Sequence, residues 1–318
     1  MQNRFAMEGL FAIEEHKKTI HSLLCTTHSS GESWIFASVV FLFLTITTIF
    51  GNALILVALQ NESSLHPPSK LLYRCLASTD LFVGLVLQPS LAYHAFLAKE
   101  HRLAEPSCFY VATICAVSFT TLSTVSLLTM ATISVDRLLA LLLGLRYRQI
   151  VTLRRILALV TFFWIVSLSF AVMMIWEFSI GKSYNSTLIL LCIFVSALCY
   201  LKIFLALRQN QTHIQHQHGQ PSGGGVPFNI ARYRQTVTTA IWVEVTLIAC
   251  YLPYSIVIGI IVNQGSSPFL DVMWESTVTL VCLNSTLNPI LYCWRIKAVK
   301  QEVKNTIRQI LCLSNLLG

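Results

Sequence analysis

The sequence predicts an all-α fold, a seven-transmembrane helix bundle followed by a short amphipathic helix on the membrane surface. The first observation is composition: 55% of the 318 residues are hydrophobic and 11% are charged, whereas about a quarter of the residues in soluble domains carry a charge. The second is that seven apolar stretches reach the length of about 20 residues that a helix needs to cross a bilayer. The third is the helical spacing of apolar and basic residues after the last stretch.

Each apolar stretch is predicted to be a helix, because lipid offers no hydrogen-bond partner to free backbone groups. The predicted spans are Trp34 to Leu59, Leu71 to Leu97, Cys108 to Ala140, Ile156 to Phe178, Leu188 to Leu207, Val237 to Val262, and Phe269 to Trp294. They divide the chain into an extracellular amino-terminal segment (1–33), a transmembrane domain (34–294), and a cytoplasmic amphipathic helix with a short tail (295–318).

The distribution of positive charge predicts the orientation. With the amino terminus outside, six cations lie on the outer side and the other sixteen of the 22 lie at inner loops, inner helix ends or the tail. The positive-inside rule then places the tail in the cytosol. We therefore interpret the net charge of +8 as a sign of membrane lipid rather than nucleic acid as partner, and expect a multi-pass protein of the plasma membrane with an extracellular amino terminus.

The segment after Trp294 has two parallel stripes. Apolar residues recur at Ile296, Val299, Val303, Ile307 and Ile310, and the basic stripe is Lys297, Lys300, Lys304 and Arg308. This pattern is typical of a helix lying at the inner membrane surface. Cys293 and Cys312 flank it, and either is a candidate for palmitoylation or an unmodified cysteine.

Polar side chains inside the apolar stretches are costly in lipid, so each one is a hypothesis about function. They are Asn52, Asp80, Ser126, Asn284, Ser285 and Asn288. One interpretation is a sodium site formed by Asp80, Ser126, Asn284, Ser285 and Asn288. The other is interhelical hydrogen bonding, worth roughly 1 kcal/mol for each bond, and spacing alone favours it. No cofactor is required under either interpretation.

Charges and prolines mark three of the spans. Asp136 and Arg137 end the third span, where the arginine can pair with its neighbour, anchor the helix, or contact a cytosolic protein. Pro253 and Pro289 lie inside the sixth and seventh spans, where each removes a backbone hydrogen bond and favours a kink.

Taken in order, these pieces resemble the pattern of class A (rhodopsin-like) G-protein-coupled receptors. The motifs are GNALILV in the first span, LASTDL in the second, SVDRLLA ending the third, Trp164 in the fourth, CYLP in the sixth and NSTLNPILY in the seventh. The stretch LRYRQIVTLRRI and the missing helix-five proline are most similar to the melanocortin and adenosine receptor group.

The resemblance implies an activation mechanism and a heterotrimeric G protein as partner. Asp136 and Arg137 would form an inner lock, Tyr200 and Tyr292 would move inward, and helix six would move outward to open a cleft for the G protein. The coupling residues expected from the resemblance are Asp136, Arg137, Tyr200, Tyr251, Pro253, Asn288, Pro289 and Tyr292. It also supports an allosteric sodium ion at Asp80.

The chain departs from the family pattern at several positions. Leu138 replaces the usual tyrosine after the Asp-Arg pair, Tyr251 replaces the helix-six tryptophan, and Cys192 stands where helix five usually carries proline. The usual helix-three disulfide is not expected, because its position holds Ala112 and the predicted loop 179–187 has no cysteine. Cys108 could pair with Cys25 instead, or Cys25 could be free.

The resemblance also predicts a ligand pocket near the outer side. Its expected lining is Tyr93, His94, Phe119, Thr120, Ser123, Tyr254, Ile258, Trp274 and Glu275. Phe119 stands where the aminergic pattern needs an acid, which disfavours a biogenic amine, and the seventh span has no lysine for retinal. Melanocortin-type and adenosine-type recognition residues are absent as well, so the extracellular ligand, small molecule or peptide, stays undetermined. Outer acids such as Glu275 could attract a cationic peptide or only solvate the surface.

Two other functions would fit part of this pattern of residues. An ion-coupled transporter could use the mid-membrane Asp and Asn residues with proline-broken helices, but the two halves show no repeat. An intramembrane metal hydrolase would need histidines or paired carboxylates at depth, and His94 is the only histidine in a span. We therefore do not expect this chain to be an enzyme. The sequon at Asn185 lies outside in this topology, so we expect glycosylation there.

Overall fold

The computed structural model describes residues 31–63, 65–100, 106–176, 178–217, 230–265, 267–295 and 297–317. Within these ranges every long element is a helix. The first three are α1 (Gly31–Asn61), α2 (Pro67–Phe82 and Gln88–Lys99, joined by a π-helical turn at Val83–Leu87), and α3 (Pro106–Leu143). The others are α4 (Leu153–Trp176), α5 (Phe178–Gln217), α6 (Ile230–Gln264), α7 (Pro268–Arg295) and α8 (Lys297–Leu317). The short helix Tyr147–Ile150 lies between α3 and α4.

Six of these helices, α1 to α6, are long and apolar enough to cross a membrane. Helix α7 is of similar length, but its apolar run is interrupted by Asn284, Ser285 and Asn288, and Asp271 and Glu275 lie in its outer turns. A hydropathy criterion therefore does not select α7, although it closes the bundle by packing against both α1 and α6.

Large apolar side chains cover the outer surface of the bundle. Phe36, Phe43, Phe50, Phe162 and Phe194 are all more than half exposed. In a soluble domain such a surface would promote association, whereas in a bilayer it is the surface that lipid solvates. Helix α3 is the most buried of the six candidate spans and lies at the centre.

Close helix packing depends on small residues at two contacts of α1. A Cβ atom added to Gly51 would lie 3.0 Å from Cγ of Pro289, and one added to Gly84 would lie 2.9 Å from Cγ1 of Ile49. Gly84 belongs to the π-helical turn of α2. Small residues at such contacts let two backbones approach closely, which supplies packing energy in lipid.

Each predicted span coincides with a helix, but α5 is longer at both ends and α6 begins earlier. Helix α5 runs to Gln217 rather than Leu207, and α6 begins at Ile230 rather than Val237. The sequence predicts a loop at 179–187 and a span beginning at Leu188, whereas α5 is already helical from Phe178. The segment Ser183–Thr187 is polar, and hydropathy therefore indicates a loop. Its polar groups are satisfied instead by helix partners, as the Ser186 hydroxyl donates to the Ser255 carbonyl oxygen of α6 at 3.2 Å.

Candidate ligand cavity, mid-membrane polar cluster and inner lock

A cavity of about 830 Å³ lies in the outer half of the bundle. Its walls come from α1, α2, α3, α4, α6 and α7. The lining residues are Ala37, Phe41, Leu91, His94, Ala95, Ala112, Cys115, Ala116, Phe119, Met174, Tyr254, Trp274, Glu275, Val278 and Thr279. A mainly apolar lining with a few polar groups is typical of a small-molecule site.

Five of the nine predicted pocket residues line this cavity: His94, Phe119, Tyr254, Trp274 and Glu275. The other four do not. Tyr93 is 46% exposed and stacks on Phe96 at the outer surface. Thr120, Ser123 and Ile258 are buried between helices, and the Thr120 hydroxyl donates to the Met174 sulfur at 2.9 Å.

The cavity also has walls that the sequence did not indicate. Four alanines, Ala37, Ala95, Ala112 and Ala116, line it and leave the space that larger side chains would fill. Phe41 brings α1 into the lining. An alanine in an apolar helix has no feature that marks it as pocket-lining, so these residues became apparent only when the helices were packed.

The inner end of the cavity is closed by an aromatic pair. The rings of Phe119 and Tyr254 lie 5.1 Å apart and are tilted by 48°. The Tyr254 side chain also lies within hydrogen-bonding reach of Asn185 and Trp274. This contact joins α3, α5, α6 and α7 directly below the ligand cavity.

Asn185 corrects the expectation of glycosylation. It lies inside α5 and is 3% exposed, and its side-chain oxygen accepts a hydrogen bond from the Thr124 hydroxyl at 3.3 Å. A glycan needs an asparagine amide that projects into solvent. The prediction failed because it treated residues 179–187 as a loop.

A polar cluster lies at mid-membrane around Asp80, which has no exposed surface. The Asn288 amide donates to Asp80 Oδ2 at 2.7 Å. The Ser126 and Ser285 hydroxyls lie close enough to interact with the same carboxylate. The structure thus brings four of the five predicted sodium ligands together from α2, α3 and α7.

Asn284, the fifth, is equally buried, but its amide donates to the Met130 sulfur of α3 at 3.7 Å. Three oxygens in this region have no hydrogen-bond partner among the described residues: Asp80 Oδ1, Ser126 Oγ and Asn284 Oδ1. Buried oxygens without partners are costly. Oxygen is the ligand type that hard cations prefer, so the donor set fits a sodium ion.

A second group of polar side chains joins α1 to α2 and α7. The Asn52 amide donates to the Thr48 and Ser285 carbonyl oxygens at 2.9 and 3.0 Å. The fully buried Gln88 amide donates to the Thr48 hydroxyl at 3.2 Å, and the Thr48 and Thr286 hydroxyls are 2.7 Å apart. The sequence indicated Asn52 as a polar residue at membrane depth. It did not indicate Gln88, which lies next to Pro89 near the π-helical turn.

The inner end of α3 carries a charged lock centred on Asp136. This carboxylate is 3% exposed, and it accepts hydrogen bonds from Arg137 at 2.7 Å, from the Ser69 hydroxyl at 2.9 Å and from the Tyr147 hydroxyl at 2.6 Å. The Arg137 guanidinium carbon lies 6.0 Å from the centre of the Tyr73 ring. The lock therefore ties α3 to α2 and to the short inner helix.

A smaller cavity of about 320 Å³ lies just above the lock. It is lined by Tyr73, Leu76, Met130, Ile133, Tyr200, Val243, Asn288, Leu291 and Tyr292. Tyr292 packs edge-on against Tyr73, with ring centres 5.4 Å apart. Both tyrosines that the resemblance assigns to inward movement, Tyr200 and Tyr292, thus border one inner space.

The other predicted coupling residues lie along α6 and α7. Tyr251 is 2% exposed and lies within reach of Ser126 of the mid-membrane cluster. Pro253 and Pro289 lie inside α6 and α7, as predicted from the sequence. Along α7, the cavity residues Trp274 to Thr279 are followed by the cluster residues Asn284, Ser285 and Asn288.

Glu244 of α6 has a partner that the sequence did not reveal. Its carboxylate accepts a hydrogen bond from the Ser196 hydroxyl of α5 at 2.8 Å. The Ser196 and Ser134 hydroxyls are 2.9 Å apart, which extends the chain to α3. Glu244 Oε1 has no hydrogen-bond partner among the described residues.

Most of the described cysteines are unpaired and lie within the helix bundle. Cys75, Cys115, Cys192, Cys199, Cys250, Cys282 and Cys293 are free thiols. Cys108 is disulfide-bonded; its expected partner, Cys25, lies outside the described residues. The side chain of Cys312 also lies outside them. The backbone of α8 runs on to Leu317, so Cys312 does not end that helix as the sequence analysis assumed. Lipidation of either Cys293 or Cys312 stays a prediction.

Comparison with known proteins agrees with this architecture. The model of the family described as 7 transmembrane receptor (rhodopsin family) matches residues 51–185 and 176–292. The chain is 26% identical to melanocortin receptor 3 of Rattus norvegicus over 289 residues, which covers 87% of this chain and 85% of the relative. It is 24% identical to the histamine H2 receptor of Cavia porcellus over 298 residues, 86% of this chain and 79% of the relative.

The chain belongs to the rhodopsin family of seven-transmembrane receptors. It is a class A G-protein-coupled receptor, and its extracellular ligand is not identified by these relatives. The same family membership favours a receptor over the ion-coupled transporter considered from the sequence.

Proposed function

We propose that this chain is a plasma-membrane receptor, with its amino terminus outside, that activates a heterotrimeric G protein when a ligand occupies the outer cavity. The observation that carries the coupling step is the lock at Asp136. Three donors from three different elements hold one buried carboxylate at the inner end of the central helix. Breaking these hydrogen bonds would release the inner end of α3 from α2 and from the short inner helix.

Release would expose Arg137 to a cytosolic partner. Its side chain is 32% exposed, while that of Asp136 is 2% exposed, so the arginine already borders the inner surface. The inner cavity borders both Tyr200 and Tyr292, so inward movement of either ring would fill it. This function requires no catalytic residues in the receptor itself.

The test is nucleotide exchange on purified heterotrimeric G proteins by membranes that carry the chain or its Arg137→Ala variant, at matched surface levels. Arg154→Ala is the control, because it removes an exposed cation from the inner end of α4. Exchange that is lost with Arg137→Ala and kept with Arg154→Ala supports the proposal. Equal exchange in all three chains would contradict it.

Orientation has its own test. An epitope tag at the amino terminus should be detected by antibody on intact cells, and a tag at the carboxyl terminus only after permeabilisation. The reverse pattern would contradict the proposed topology.

We further propose that a sodium ion binds in the polar cluster and favours the inactive state. Asp80 and Ser126, with Ser285 and Asn288 on α7, would be its ligands, and Asn284 would contribute from the next position. A bound cation would balance the charge of Asp80 and hold α2, α3 and α7 together.

A further inference from the structure

The outer cavity contains one acidic side chain. Glu275 lies in α7 and lines the cavity, and its carboxylate has no hydrogen bond or ion pair with any described residue. Only its backbone carbonyl is used, as it accepts from the Thr279 hydroxyl at 3.0 Å. The other acid nearby, Asp271, lies one turn earlier and adds negative charge.

Two other polar groups of the cavity wall have partners of their own, and His94 lies in the same wall. The Thr279 hydroxyl is bonded within its own helix, and the Tyr254 side chain reaches Asn185 and Trp274. The rest of the wall consists mainly of alanine, aromatic and aliphatic side chains. A carboxylate in such a wall loses hydration and gains no internal partner, which makes a cation the group that it would bind best.

The negative charge of Glu275 lies on α7, whereas the aminergic pattern places its acid on α3, at the position of Phe119. Phe119 on α3 packs against Tyr254, so α3 offers an aromatic face rather than an acid. Phe119 and Glu275 border the same cavity from α3 and α7. The absence of an acid at Phe119 therefore does not exclude a cationic ligand.

We propose that the receptor's ligand is a small organic cation, with an apolar or aromatic body that fills the alanine-lined space and a basic nitrogen that pairs with Glu275. This inference rests on the proposed function and specifies its ligand. The mainly apolar lining with a few polar groups suits a ligand of small-molecule size. An anionic ligand would be repelled by Glu275 and Asp271, and a neutral one would leave the negative charge of Glu275 unbalanced.

The test uses three compounds with the same skeleton: 4-phenylbutylamine, 4-phenylbutan-1-ol and 4-phenylbutanoate. The full chain in lipid nanodiscs is heated with increasing concentrations of each, and the rise in Tm gives an apparent affinity. We expect the amine to bind best. In Glu275→Gln, its affinity should fall by about tenfold or more, as expected when a charge-assisted hydrogen bond is lost, while that of the alcohol stays the same.

Asp271→Asn is the matched control, because it removes a neighbouring charge from a residue that does not line the cavity. It should change the amine affinity by less than about threefold, since partly exposed charges are screened. Ala116→Phe fills the cavity without altering Glu275 and should weaken all three compounds. This variant keeps the test informative if Glu275→Gln does not fold.

Two results would overturn the ligand class. The first is equal binding of amine and alcohol to the unaltered chain. The second is amine affinity that is unchanged in Glu275→Gln or, where that variant does not fold, in Ala116→Phe. Arg137-dependent nucleotide exchange is measured on the same preparations. If exchange is intact and the amine does not bind, only the ligand class fails. If the amine binds and exchange does not depend on Arg137, the proposed function fails.

Discussion

The Ser196 hydroxyl of α5 donates a 2.8 Å hydrogen bond to the Glu244 carboxylate of α6 within the inner half of the bundle. Ser134 of α3 continues this contact at 2.9 Å. An acidic side chain is costly in a membrane helix. The position of Glu244 between three helices therefore indicates a specific contact. The family resemblance implies that α6 moves outward on activation, so this chain of three side chains would stabilise the inactive arrangement.

Ser196→Ala should therefore raise ligand-free nucleotide exchange. One interhelical hydrogen bond in a membrane is worth roughly 1 kcal/mol, which corresponds to a shift of about fivefold in the equilibrium between two states. The matched control is Thr246→Ala, since the Thr246 hydroxyl donates only to the Trp242 carbonyl oxygen of its own helix. Exchange that does not rise in Ser196→Ala would show that this contact does not restrain α6.

Asp80→Asn should abolish the effect of sodium. In the unaltered chain, replacing KCl by NaCl at constant ionic strength should raise Tm and lower ligand-free exchange, because an ion that binds one state stabilises it. Both differences should disappear in Asp80→Asn and persist in Thr286→Val, which changes a polar residue paired with Thr48 outside the ligand set. A sodium effect that persists in Asp80→Asn would show that Asp80 does not bind the ion and acts only through hydrogen bonds.

Gly84→Ala should destabilise the bundle. Its added methyl group would lie 2.9 Å from Ile49 Cγ1 and 3.3 Å from the Ile49 backbone nitrogen, and overpacking of this kind typically costs about 1–3 kcal/mol. Gly259→Ala is the matched comparison, because no heavy atom lies within 4 Å of its added Cβ. It should raise helix stability by about 0.5–1 kcal/mol. Thermal unfolding in nanodiscs should give Tm changes of opposite sign, and a normal Tm for Gly84→Ala would contradict the close contact between α1 and α2.

Endoglycosidase treatment should leave the electrophoretic mobility of the chain unchanged, because Asn185 is buried in α5. Asn185→Gln should migrate like the unaltered chain. A mobility shift that requires Asn185 would mean that the outer end of α5 unfolds or opens while the chain is being glycosylated.

The sequence by itself determined the membrane setting, the number of spans and the depth of the main polar residues. This is possible because a helix in lipid must satisfy its own backbone, so length and hydropathy identify it without knowledge of its neighbours. Asp80, Asn288 and Arg137 were recognisable for a similar reason, since polar and charged groups at membrane depth are rare and costly.

Only the tertiary structure decided which way each side chain faces and what it contacts. Tyr93 and His94 are adjacent in sequence, yet one lies at the outer surface and the other lines the cavity, because successive residues of a helix point about 100° apart. Asn185 was predicted to lie in a loop because polarity alone does not show that neighbouring helices satisfy it. The partners of Glu244 and the lack of a described partner for the Glu275 carboxylate depend on the packing of helices distant in sequence, which composition and spacing do not specify.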